Sequence, residues 1–239
     1  MKVTLVEYTG RPDPWRAADV MIFTKNTRVE MAADGLDQVA AWPVERKMRE
    51  LAYMANTIPS SWEFCDYTFV IQDVTRALTH QLVRTRTASY AQQTMQVLDV
   101  RGWRYDCRVV GEERRAYDAC MENIAQVYDE LVDAGVKIEH ARGVLPTNIL
   151  TNIAMKCSMR TFVDLVHKRE SPRNLGEISE LMLAMKAAVL EVHPWMSVFL
   201  ARTFDQAASD LDREIMALDL PQDRKMGLCK LVDQMRQRS

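Results

Sequence analysis

The stretch Glu112–Ala134 repeats apolar residues at Tyr117, Met121, Ile124, Tyr128 and Leu131, with Val127 beside them. That spacing fits a helix with a single apolar face and no strand. Gly111 opens the stretch and Gly135 stands where a helix C-cap belongs. So long a helix must lay its apolar stripe on a core supplied by other elements.

The other elements are mostly helices. Met1–Tyr8 alternates and reads as a strand, broken by Gly10, Pro12 and Pro14, with a helix from Trp15. Ala40–Asn56 is helical, with Pro43 near its first turn, and Pro59-Ser60-Ser61 ends it. Glu63–Gln72 is a second strand, and Asp73 is placed to N-cap a helix through Val74, Ala77, Leu78 and Leu82. Arg84–Gln96 matches neither period and reads as a loop. A short helix ends near Leu145-Pro146, and Asn148–Met155 reads as a strand. Helices follow at Met159–Lys168, Leu175–Val192 and Phe204–Leu218, with a last one from Asp223. The expectation is an α+β, helix-dominated single domain over residues 1–239, with a small, mostly antiparallel sheet. Apolar positions spread around several helices favour an oligomer.

Composition removes some functions. A net charge of -2 provides no global basic field for coating nucleic acid, although a few clustered arginines can still bind a small anion. No apolar run approaches the roughly 20 residues of a membrane-spanning helix. Met1–Tyr8 lacks the features of a signal peptide, so the expected location is the cytoplasm. Cys65, Cys107, Cys120, Cys157 and Cys229 are scattered, and no two of the four histidines fall at i, i+4. No metal site or disulfide framework is expected, and the thiols are read as reduced core residues.

Two clusters can carry chemistry. Thr79–Gln96 (THQLVRTRTASYAQQTMQ) holds two arginines, several glutamines and several hydroxyls. Arginine offers phosphate a planar fork of donors, and glutamine both donates and accepts, as the imide edge of uracil requires. A solvated turn after a helix is the plain alternative. The second cluster is Ala141–Pro146 (ARGVLP) with Cys157–Arg169 (CSMRTFVDLVHKR), where Arg142, Arg160 and Arg169 stand among apolar residues. Arginines so placed have carboxylate or anion partners, and ion pairs with Asp164 or Glu170 would suffice. On one helix Arg160 and Arg169 point to nearly opposite faces, so both serve one site only if several subunits build it.

Both clusters resemble the flavin-dependent thymidylate synthases. That family's Gln-Leu-Val before an Arg-His-Arg triplet corresponds to Gln81-Leu82-Val83 and Arg84-Thr85-Arg86, followed by Ala88-Ser89-Tyr90, Gln92-Gln93 and Thr94. Its Ala-Arg-x-x-Leu-Pro motif is intact at Ala141–Pro146, its later arginines match Arg160 and Arg169, and Ser60-Ser61-Trp62-Glu63 fits its Ser-x-x-Glu element. The resemblance covers about residues 1–205 and leaves 206–239 as a helical extension.

The resemblance implies a homotetramer with active sites shared between subunits, carrying FAD. NADPH and methylene-tetrahydrofolate are co-substrates, and one carbon passes to C5 of dUMP to give dTMP. It implies flavin contacts from Ser60, Arg84, Thr85, Arg86, Gln92 and Arg160. It implies nucleotide contacts from Gln81, Arg84, Gln92, Gln93, Thr94, Gln96, Arg142 and Arg169. Arg169 is the implied catalytic residue, its guanidinium favouring the ionised pyrimidine ring.

The sequence also departs from the family. Thr85 replaces the triplet histidine, Thr94 the signature serine and Gln96 an arginine two positions later. Ser158 and Asp164 replace asparagines, and Ile58-Pro59 stand where a histidine precedes Ser60. Gln96 is the largest change, since a charge-assisted hydrogen bond contributes about 1.5–3 kcal/mol. Three alternatives to thymidylate synthesis follow: a dUMP or dCMP hydroxymethylase for modified DNA, a catalytically silent nucleotide-binding relative, and an unrelated helical interaction protein.

Overall fold

In the computed structural model, residues 1–26, 32, 34–170, 176–201 and 204–236 are described. The sheet forms because β2 (Asp66–Thr75), as far as Ile71, and β4 (Leu150–Ser158) alternate buried residues with more exposed ones. Every second side chain of such a strand faces one side. Tyr67, Phe69 and Ile71 of β2 and Ile153, Met155 and Cys157 of β4 are therefore buried together. β1 (Lys2–Tyr8) flanks β2 and β3 (Ser89–Gln92) flanks β4, giving the order β1-β2-β4-β3 with all pairings antiparallel.

The helices up to residue 200 are α1 (Arg16–Lys25), α2 (Asp34–Ala40), α3 (Val44–Thr57), α4 (Arg76–Leu82), α5 (Glu113–Asp133), α6 (Ile138–Ala141), α7 (Met159–Arg169), α8 (Glu177–Val192) and α9 (Ser197–Leu200), of which α4, α7 and α8 pack on the strands. Phe162 of α7 stacks on Phe69 at 5.8 Å between ring centroids and tilts against Tyr67 at 5.6 Å, joining α7 to the buried sheet face. The α+β, helix-dominated reading holds. The expected first residue of α8, Leu175, lies outside the described residues.

The chain divides into two compact units, 1–198 and 199–239. In the second, α10 (Phe204–Ala217) and α11 (Gln222–Arg236) pack through Ala208, Ile215 and Val232, with Leu228 and Cys229 against them.

Three local readings are corrected. Asp73 does not cap α4. The register runs from Ile71↔Ile153 to Val74↔Thr151, so two residues of β2 oppose Asn152 in a bulge. Asp73 takes a left-handed φ of 56° there, and its amide donates to Asn152 Oδ1 at 3.1 Å. The cap is Thr75, whose hydroxyl oxygen accepts from the Leu78 amide at 3.0 Å.

The segment Arg84–Gln96 is not wholly loop, because Ser89–Gln92 pairs with β4. Nor are all the thiols core residues. Cys65 and Cys157 are buried, whereas Cys107 and Cys229 are half-buried and Cys120 is exposed. Gly135 does end α5, with φ of 80°: its amide donates to the Val132 carbonyl and that of Val136 to Leu131, a Schellman motif.

Candidate functional site

Past the bulge β2 stays paired with β4 through Thr75, where α4 begins, and α4 carries much of the candidate site. At its start the Arg76 and Ala77 amides donate to the carbonyls of Ile149 and Thr147, fixing α4 against the strand that follows the ARGVLP segment. Arg76 and His80 are four residues apart and share one face of α4. Met95, Glu139, Arg142, Gly143, Leu145, Pro146 and Thr147 join them around a cavity of about 380 Å³. This volume lies in the range of small-molecule sites.

Two guanidiniums thus face one cavity. Burial and the neighbouring Arg142 charge both lower the pKa of Arg76. Arg76 Nη1 donates to Met95 Sδ at 2.9 Å, and Arg142 Nε donates to the Glu139 carbonyl at 3.2 Å. Among the described residues neither arginine has a carboxylate partner within 4.0 Å. Arg104, Arg114 and Arg160 each have one, and Arg101 and Arg108 each have two. The Glu139 carboxylate lies 3.7 Å from His140 Nε2 and 4.0 Å from Lys137 Nζ.

Met95 also lines a second cavity, of about 220 Å³, with Gln93, Thr94, Asp99, Val100, Trp103, Ile149, Leu150 and Thr151. Trp103 Nε1 is buried without a hydrogen-bond partner among the described residues, a donor that a ligand can satisfy. Side-chain bonds set the turn between the two cavities. Asn152 Nδ2 donates to Gln93 Oε1 at 2.9 Å, and the Gln96 amide donates to Thr94 Oγ1 at 3.1 Å.

The structure sorts the expected site residues into groups. Gln81, Arg84, Thr85 and Arg86 lie at the end of α4 and in the turn after it, with both arginines exposed. Tyr90 pins that turn, its hydroxyl donating to the carbonyls of Leu82 at 2.8 Å and Thr85 at 3.1 Å. Gln92 Nε2 reaches Thr79 Oγ1 at 3.1 Å and ties β3 to α4. Gln92, Gln93, Thr94 and Gln96 thus stand close to α4, and Arg142 meets the same region through Met95.

Ser60 lies in the 3-10 turn Pro59–Phe64, whose Glu63 accepts from Arg160 Nη1 at 3.3 Å. Arg169 closes α7 at the other end of that helix. Arg84, Arg160 and Arg169 line neither cavity. The simple ion-pair alternative is also revised, because Glu170 pairs with Lys186 at 2.9 Å and Arg160 with Glu63. Arg76, His80, Glu139 and Trp103 line the two cavities without being among the expected site residues; the four-residue step from Arg76 to His80 is the signal in the sequence that puts two of them on one face.

Residues 4–195 match the family model described as thymidylate synthase complementing protein. Several relatives are named flavin-dependent thymidylate synthase. That of Geobacter sulfurreducens is 31% identical over 204 residues, covering 81% of this chain and 84% of its own. That of Clostridium tetani is 29% identical over 216 residues with the same two coverages. That of Pyrococcus furiosus is 29% identical over 194 residues, 77% of each chain.

Proposed function

The chain belongs to the thymidylate synthase complementing protein family, and we propose that it is a flavin-dependent thymidylate synthase: with FAD, NADPH and methylene-tetrahydrofolate it transfers one carbon to C5 of dUMP, giving dTMP. The observation that carries this reading is the family match across residues 4–195, which spans the cationic cavity and both arginine-bearing turns. In the same reading the protein is a cytoplasmic homotetramer whose sites are completed by neighbouring subunits. No helix among the described residues is long and apolar enough to cross a membrane.

The donor set fits an anionic dinucleotide. Arg84 and Arg86 are exposed, with no ion pair among the described residues. The Arg160–Glu63 pair is about half exposed on both sides, so it contributes at most about 1 kcal/mol and yields readily to a phosphate. Ser60, Arg84, Thr85, Arg86, Gln92 and Arg160 would hold FAD, which supplies the redox chemistry when bound.

The remaining work belongs to the chain. Gln81, Arg84, the Gln92–Gln96 turn and Arg142 orient the nucleotide, with the cavity arginines at its phosphate. The Arg169 guanidinium, held against the pyrimidine edge, stabilises negative charge on the ring as N3 loses its proton. Charge delocalised over the ring makes C5 nucleophilic. The reading needs no protein thiol, and burial raises the pKa values of Cys65 and Cys157 to about 12.

The test is absorbance in the flavin bands of the purified protein, with and without added FAD, followed by NADPH oxidation. Oxidation that requires dUMP, with dTMP identified by mass, supports the reading. A product heavier by one oxygen assigns hydroxymethyl transfer instead. A protein that binds dUMP but takes up no flavin and oxidises no NADPH overturns the enzyme.

A further inference from the structure

We propose that the helical hairpin of α10 and α11 is an assembly element. It joins a second copy of itself in an antiparallel four-helix bundle, with α10 of each chain against α11 of the other. The hairpin lies beyond the matched residues 4–195, and the proposal does not depend on the chemistry proposed above.

By itself the hairpin buries too little. Its unit spans residues 199–239, and its core is Ala208, Ile215 and Val232 with Leu228 and Cys229 against them. Units of about 40 residues without a disulfide or metal usually need a partner to cover their apolar surface. Leu211, Leu218, Leu231 and Met235 are each about half exposed. At about 100° per residue, Leu211 and Leu218 flank the Ala208–Ile215 line of α10, and Leu231 and Met235 flank Val232 of α11. Both offsets have the same rotational sense. In helices running in opposite directions such offsets fall on one side, so the four side chains make one apolar face. Met216 and Met226, one from each helix, fall on the other side.

Charge selects the occupant of that face. The α10 sequence carries four carboxylates and one arginine, and the α11 sequence four basic residues and two carboxylates. A two-fold axis parallel to the helices sets α10 on α11 of the second copy and makes every neighbour antiparallel. An axis across the helices would set acidic α10 on acidic α10, which like charges oppose.

The register puts one opposite pair in reach. Lys225 Nζ donates to the Met216 carbonyl at 3.0 Å, and Cys229 Sγ to that of Asp212 at 3.9 Å. Glu214 is then level with Gly227, three residues or about 4.5 Å along the axis from Arg224. Glu214 and Arg224 are exposed beside the apolar face, and neither has an ion pair among the described residues. The two-fold keeps these heights and brings Glu214 of one copy to Arg224 of the other.

The experiment co-expresses two full-length chains, one Leu211→Cys and one Leu231→Cys, so that a link between positions 211 and 231 is intermolecular by construction. A short bismaleimide is added, peptide masses separate that link from those of the native cysteines, and circular dichroism checks folding. The 211–231 link should form. Glu214→Arg in both chains should lower its yield several-fold, and adding Arg224→Glu should restore it. Glu214→Cys with Arg224→Cys, both at exposed positions, provides a second pair should the leucine variants misfold.

No link between chains that fold as the wild type does overturns the proposal. Links from either position to native cysteines of residues 1–198, in place of the 211–231 link, overturn it as well. A yield that ignores both charge changes overturns the arrangement of α10 on α11.

Discussion

The Glu177 carboxylate grips Thr75 twice, accepting from its backbone amide at 2.8 Å and from its hydroxyl at 2.5 Å. The same hydroxyl oxygen caps α4 by accepting from the Leu78 amide. α8 thereby holds the end of α4 from which Arg76 projects into the cavity.

Removing that grip should loosen α4. Glu177→Ala leaves the Thr75 amide and hydroxyl without their acceptor and should cost about 1–3 kcal/mol, measured by urea unfolding. Thr75→Val also removes the cap and should cost about as much. Both variants should weaken dUMP binding through a displaced Arg76. A variant with unchanged stability would show that the α8 contact does not hold α4.

His193 gives the protein an acid-sensitive lock. It is fully buried, its Nδ1 lies 2.9 Å from Tyr67 Oη, and its ring stacks on Trp195 at 4.8 Å. Burial lowers its pKa from 6.5 to about 4. Between those values the unfolded chain binds a proton that the folded chain does not, so stability falls as pH drops from about 6.5 to 4. The loss reaches about 3 kcal/mol for this group. A His193→Gln variant should show a shallower decline across that window in thermal melts at stepped pH.

What could be read from residue order depended on how local each cause was. The apolar stripe of α5 is a local period, and Gly135 a local cap, so both were readable. β3 is only Ser89–Gln92, and it is a strand because β4 lies beside it. Asp73 carries an ordinary cap signal, but pairing with β4 puts it in a bulge and passes the cap to Thr75. The motif arginines were readable one by one. Their grouping was not, since Arg76 meets Arg142 only once β4 sets α4 against the ARGVLP segment.

Arg169→Ala tests the proposed ring-charge role. Its helix is held by Phe162, Leu165 and Val166 on the buried side, and Arg169 is its last residue, half-buried. The fold should therefore survive truncation. Turnover should fall by roughly 10²–10³-fold, the scale of losing one donor to developing charge. Steady-state NADPH oxidation with dUMP present measures it, and wild-type turnover would remove Arg169 from the chemistry.

The thiols should separate by exposure. Cys120 lies exposed on α5 and should react quickly with a thiol reagent at neutral pH. Cys65 and Cys157 are buried with pKa values near 12, so almost no thiolate is present and reaction should wait for unfolding. Mass-resolved labelling in native buffer and in denaturant reads both classes. Fast native labelling of Cys157 would mean that β4 opens far more readily than its burial implies.

Lys47 and Asp19 form a buried ion pair at 2.7 Å, each side chain less than a tenth exposed. Lys47 Nζ also donates to the Ala40 carbonyl at 3.0 Å, so the pair ties α1, α3 and the end of α2 together. Desolvating two charges costs much of what their attraction returns, so the intact pair adds little net stability. Breaking it is another matter, because one charge is then stranded. Asp19→Ala and Lys47→Met should each destabilise by about 3–5 kcal/mol, while the double variant should lose much less than their sum. A double-mutant cycle by chemical denaturation measures the difference, and additive losses would mean that the two charges are solvated independently.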